Sequence, residues 1–103
     1  MRLTVHLQDQ QQQEVTVWRG IKLNPKRTLA LTIDGFEHAF NEDVEDELTK
    51  FVALNVRRNN EPWHALAETD QSRPLFAYFQ NGDTVFISGV FLPKKYVLGK
   101  VGH

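Results

Sequence analysis

The chain has no cysteine, which excludes disulfides, thiolate metal sites and a cysteine nucleophile, and fits a reducing compartment. Only two serines occur, Ser72 and Ser88, and neither lies in a Gly-x-Ser-x-Gly elbow. The six glycines are scattered, so no glycine-rich phosphate loop exists. An excess of one charge is also missing: 12 Lys and Arg face 13 Asp and Glu, for a net charge of -1, which removes the global electrostatic argument for nucleic acid. No window approaches the roughly 18 apolar residues of a membrane-spanning helix, and the N-terminus lacks the continuous apolar stretch of a secretory signal. Neither membrane insertion nor a cofactor is expected, and the expected location is cytoplasmic.

What is present is enough apolar bulk for one core. At 103 residues and 41% hydrophobic composition the chain predicts one domain over residues 1–103. Leu3, Val5 and Leu7 alternate with polar residues, as do Val15 and Val17, which predicts two strands flanking the glutamine-rich stretch Gln8–Gln13. Alternation returns at Leu29, Leu31 and Ile33 and runs into Asp34-Gly35, a favoured two-residue turn, so a second hairpin is expected there. Asn41 reads as an N-cap with five carboxylates behind it, and Val44, Leu48, Phe51, Val52 and Val56 keep helical spacing, predicting a helix over 41–58. Pro62 is suited to open a short helix over 63–68.

Asn81-Gly82, between the apolar runs 75–80 and 83–88, predicts a further hairpin, and 90–101 supplies a last strand. Gly89 suggests a bulge or bend. The expected fold is therefore α+β: an antiparallel sheet of six to seven strands built from hairpins, with one long and one short helix inserted before the last hairpin. Because both faces of that hairpin are apolar, the second face is expected to meet another layer, close a partial barrel or bury against a partner chain, including a second copy.

Several groups are candidates for chemistry. Asp34, Glu37 and His38 bring a turn carboxylate, a strand carboxylate and an imidazole into one hairpin, the residue types of acid–base or metal chemistry, although Glu37 is expected on the face opposite His38. His64 and Glu68 have the four-residue spacing of a helical ligand pair. Arg19, Lys22, Lys26 and Arg27 form a run without acids, and Lys94, Lys95 and Lys100 another, joined into one patch if the second and last strands are neighbours. Trp18 and His6, both expected on the polar side of the first hairpin, would then offer rings for stacking on bases. From Asp34 to Glu47 there are seven carboxylates and no Lys or Arg, a negative pole suited to a basic partner.

No catalytic residue or metal ligand is assigned on this pattern. The preferred expectation is a small noncatalytic protein-binding or regulatory module, working through protein contacts that include its own second copy. A nucleic-acid-binding sheet comes next, followed by a small enzyme or metal-dependent protein that uses His38 or His64.

Overall fold

In the computed structural model, which describes residues 1–43, 49–66 and 70–93, five strands and one helix are arranged as a mixed open sheet. The strands are β1 (Arg2–Gln8), β2 (Glu14–Lys22), β3 (Thr49–Arg58), β4 (His64–Ala65) and β5 (Thr84–Pro93), and the helix is α1 (Leu29–Asp43). Their order across the sheet is β2-β1-β5-β3-β4, with β1 and β5 parallel at its centre and the other neighbours antiparallel. No helix of the described residues is long and apolar enough to cross a membrane.

The first hairpin forms as its alternation predicts, and Asp9 organises the turn by accepting hydrogen bonds from the backbone N–H groups of Gln11 and Gln13, each at 2.9 Å. A register shift between Leu3 and Val5 sets Val5 opposite Trp18 and His6 opposite Val17. Trp18 therefore points toward the helix, stacking on Phe36 at 5.3 Å, while His6 lies on the other face. The expectation that both rings share the polar side is corrected by this one irregularity.

Residues 29–40 are helical, not a hairpin. Two periods coexist in this stretch: Leu29, Leu31 and Ile33 alternate, but Leu29, Ile33, Phe36 and Phe40 also follow the helical interval. Thr28 favours the helix by capping it, its hydroxyl accepting from the N–H of Leu31 at 3.2 Å. Leu31, which the hairpin would bury, is left 54% exposed, whereas Leu29 and Ile33 are buried. Asn41, expected to start a helix, falls in the last turn of this one; its side chain instead accepts from the N–H of Phe51 at 2.9 Å and anchors β3.

The predicted long helix is consequently displaced, and residues 49–58 are the strand β3, with Phe51 and Val56 facing α1. A register shift between Ala53 and Asn55 explains why their spacing imitates a helix: the extra residue, Leu54, breaks the simple alternation. The expected short helix does not begin at Trp63, since His64 and Ala65 form β4 against Val56 and Asn55, and the end of that stretch, 67–68, lies outside the described residues. Glu68, the sequence's proposed partner for His64, lies outside the described residues, as do Val44–Leu48 and Lys94–His103, including the Lys94 and Lys95 of the second basic run.

Residues 75–80 do not pair with β5. Leu75–Ala77 form a 3-10 turn, and the N–H of Phe79 bonds to the carbonyl of Leu75 at 2.9 Å, so Leu75 and Phe79 share one buried side while Phe76 is 61% exposed. Asn81-Gly82 does turn, with Gly82 at φ +92°, but it docks on β1 instead of closing a hairpin. Asn81 Oδ1 accepts from the N–H of Arg2 at 2.8 Å, and the N–H of Gly82 donates to the Arg2 carbonyl at 2.8 Å. These bonds deliver β5 alongside β1, pairing Val5 with Val85 and Leu7 with Ile87. Among the described residues the sheet thus has five strands where six to seven were expected, is mixed and not wholly antiparallel, and is open with β2 and β4 at its edges.

The core lies between α1 and one sheet face: Leu3, Val5 and Leu7 from β1, Val85 and Ile87 from β5, Phe51 and Val56 from β3, and Leu29 and Ile33 from the helix. Losing the 75–80 strand also removes much of the expected second apolar face. On the side away from α1, β5 presents Thr84, Phe86 and Ser88, which pair with Thr4, His6 and Gln8 of β1.

Candidate binding face and arginine cleft

The helix-free face carries a row of four side chains running across the strands. His6 and Phe86 are direct partners in the parallel ladder, and their rings stack with centroids 4.7 Å apart and planes 23° from parallel. On the other flank of β5, Arg57 pairs with Phe86 and lays its guanidinium 4.2 Å from the ring centroid. The same guanidinium is 4.8 Å from the Trp63 ring. Phe86 is thereby held between imidazole and guanidinium, and Arg57 between two aromatic groups, an arrangement that fixes the rotamers of all four by dispersion and cation–π attraction.

Further contacts hold the row in place. His6 Nδ1 shares a hydrogen bond with the Glu14 carboxylate across the first hairpin. Arg57 Nη1 donates to the carbonyl of Asn59, while its buried Nε has no hydrogen-bond partner among the described residues. In the next rung of the ladder, Asn55 Nδ2 donates to Ser88 Oγ at 3.4 Å, and the buried Oε1 of Gln8 is likewise unpartnered among the described residues.

At the end of β3, on the side of the sheet that carries the core, lies a cleft of about 440 Å³ bounded by β3, by β4 and by the loop leading to the 3-10 turn. Its floor is apolar, made of Leu29, Val56 and Phe79. Arg57, Arg58, Arg73, His64, Glu61 and Asp70 also line it, although the guanidinium of Arg57 itself lies on the helix-free face between Phe86 and Trp63. Arg58 is engaged, with Nη2 2.6 Å from Glu61 Oε1 and Nη1 3.7 Å from Asp83 Oδ2. Asp70 accepts from the Ser72 hydroxyl at 2.6 Å and from the Ser72 N–H at 3.2 Å, and the hydroxyl bond is the main reason its carboxyl titrates below the usual range. It therefore remains ionised and committed to its own loop.

The candidates named from sequence are dispersed by this fold. Arg19 and Lys22 are exposed on the edge strand β2, and Lys26 and Arg27 are exposed in the connector after it. Among the described residues β1 separates β2 from β5, and Lys94 and Lys95, the other half of the expected joint patch, lie outside them. Asp34, Glu37 and His38 are on α1, with Asp34 and His38 exposed and Glu37 half-buried against β3. Among the described residues no three His, Asp or Glu side chains converge in a metal-binding geometry.

Glu37 has a structural task. Its Oε2 accepts from the N–H of Ala53 at 2.7 Å, next to the irregularity in β3. Burial is the largest influence on it and raises its pKa above 4.5, despite the opposing effect of the Ala53 hydrogen bond. Since the folded state holds this proton more tightly, the associated stability is complete below pH 4.5 and is lost as pH rises through the folded-state value. Glu37→Gln is expected to flatten that decline, measured as urea-unfolding free energy across the acidic range; an unchanged slope would dismiss Glu37 as its source.

Arg57 and Trp63 are not singled out by the sequence because 41–58 and 63–68 read as helices, and Phe86 is not because 83–88 reads as one apolar arm of a hairpin with 75–80. The signal that finds them is the period-two partition of Asn55 and Arg57 from Val56, and of Phe86 and Ser88 from Val85 and Ile87. Comparisons with protein-family models, with curated proteins and with solved structures give no match for this chain.

Proposed function

We propose that this chain is a noncatalytic protein-binding module that docks its partner on the helix-free sheet face. The observation that carries this reading is the row His6–Phe86–Arg57–Trp63, since Trp and Arg are the residues that most often dominate binding energy at protein interfaces. Mutual stacking holds these side chains before any partner arrives, so docking forfeits less rotamer entropy than it would on a loose surface. Stacking also argues for protein over nucleic acid as the partner, because the facing sides of His6 and Phe86 are turned on each other instead of being offered to a base.

The test is to crosslink the wild-type chain to its partner through a photoreactive group on the sheet face, purify that partner and titrate it by calorimetry. Trp63→Ala and Arg57→Ala should each weaken binding by about tenfold or more, whereas Leu31→Ala, on the exposed side of α1, should leave it unchanged. If Leu31→Ala is the damaging change, the docking face is misassigned. Recovery of the chain itself as the crosslinked partner would make the interface a homodimer.

A further inference from the structure

We propose that Asn81 is a deamidation site, kept unreactive while its turn is docked on β1, and that the isoaspartyl product of the reaction releases β5 from β1. Among the chain's asparagines only Asn81 precedes a glycine. The backbone nitrogen of Gly82 has no side chain beside it to block approach to the Asn81 amide carbon. In the reaction that nitrogen gives its proton to solvent base and bonds to Cγ of Asn81, the Cγ–Nδ2 bond breaks, and ammonia leaves. Water then opens the cyclic imide at one of its two carbonyls, giving aspartate or, where the main chain is rerouted through the side chain, isoaspartate. Water and base are the only co-reactants, and nothing is oxidised or reduced.

Arg2 holds both reacting groups. The N–H of Gly82 donates to the Arg2 carbonyl at 2.8 Å, and Asn81 Oδ1 accepts from the Arg2 N–H at 2.8 Å, so the nucleophile keeps its proton and the amide is fixed on the neighbouring strand. Asn81 and Gly82 are nonetheless exposed to solvent, at a turn of the kind that opens locally without global unfolding. The same two bonds begin the seam between β1 and β5. Next along it the N–H of Thr4 donates to the Asp83 carbonyl at 3.1 Å, and the ladder continues from Thr4 and Thr84 to the stacked pair of His6 and Phe86. An aspartate keeps the side-chain oxygen that Arg2 bonds. An isoaspartyl linkage adds a methylene to the main chain and shortens the side chain, so the two groups no longer match the N–H and carbonyl of one residue on β1. The seam then loses its first bonds whatever the sheet face binds.

The test holds the full chain at mildly alkaline pH, folded in buffer or unfolded in guanidinium chloride, and follows conversion at residue 81 by peptide mapping with mass spectrometry. The folded chain should convert at least about tenfold more slowly. Arg2→Pro removes the N–H that holds Asn81, at the first position of β1 where proline is tolerated, and should speed conversion in the folded chain at least about threefold, whereas Arg2→Ala keeps both backbone groups and should not. In the wild-type chain, conversion should rise with low denaturant in proportion to hydrogen exchange of the Gly82 amide, a readout that stands even where Arg2→Pro fails to fold. The isoaspartyl fraction, resolved chromatographically, should melt about 5 °C or more below the unreacted chain, while Asn81→Asp stays within about 2 °C of it. Equal conversion in folded and unfolded chain would overturn the protection by Arg2. An isoaspartyl protein that melts with the unreacted one would overturn the release of β5.

Discussion

Gly89→Val is expected to cost about 4 kcal/mol or more and to leave little folded protein at 37 °C, read as the midpoint of chemical or thermal unfolding. A Cβ at this position would stand 2.2 Å from the backbone oxygen of Val52 and 2.6 Å from the ring of Phe51. The oxygen belongs to the partner strand, so no rotamer change relieves the contact; β3 and β5 would have to separate beside the irregularity at Leu54. The glycine is required by close approach, not by its backbone angle, since its φ is outside the left-handed region. A Gly89→Val protein as stable as wild type would show that the two strands are not apposed here.

Phe51→Ala is the second large effect, at about 3–5 kcal/mol in urea unfolding. Phe51 is fully buried, its ring set edge-on to Phe40 of α1 at 5.7 Å and to Phe91 of β5 at 5.4 Å. It therefore joins the end of the helix to the ends of two strands, and truncation opens a cavity that three separate elements would have to collapse to fill. The ring occupies the space that Gly89 leaves vacant, so the two positions are coupled and their mutational costs should not add. A loss below about 1 kcal/mol would mean that Phe51 is not at this junction.

Both positions were visible in the sequence with the wrong neighbours attached. Phe51 was expected in the core as part of a helix, and it is in the core as part of a strand; burial follows from its hydrophobicity, whereas the element depends on a bulge at Leu54 that periodicity does not reveal. Gly89 was expected to mark an irregular strand, but the reason for glycine is a ring delivered from a strand more than thirty residues earlier. Asn81-Gly82 was expected to turn and does turn. Where it sends the chain was not foreseeable, because the bonds that decide it come from Arg2, at the far end of the sequence.

The candidate site follows the same division. The residue types were in plain view, but Arg57 joins the stacked row on the helix-free face only when β3 is set beside β5, and Arg73 lines the cleft from a loop. His6 and Trp18 make the point in reverse: strict alternation assigned them a common face, and one register shift placed the sheet between them.

Local chemistry was thus sufficient to establish the α+β class, the first hairpin, the absence of thiol chemistry and the apolar residues available for a core, because each depends on composition or on neighbours a few positions apart. The parallel pairing of β1 with β5, the choice of helix over hairpin at 29–40 and the assembly of the arginine cleft were decided by tertiary structure. The physical reason is that these stretches satisfy two local patterns at once, and the pattern that prevails is the one whose long-range hydrogen bonds and ring contacts the rest of the chain completes.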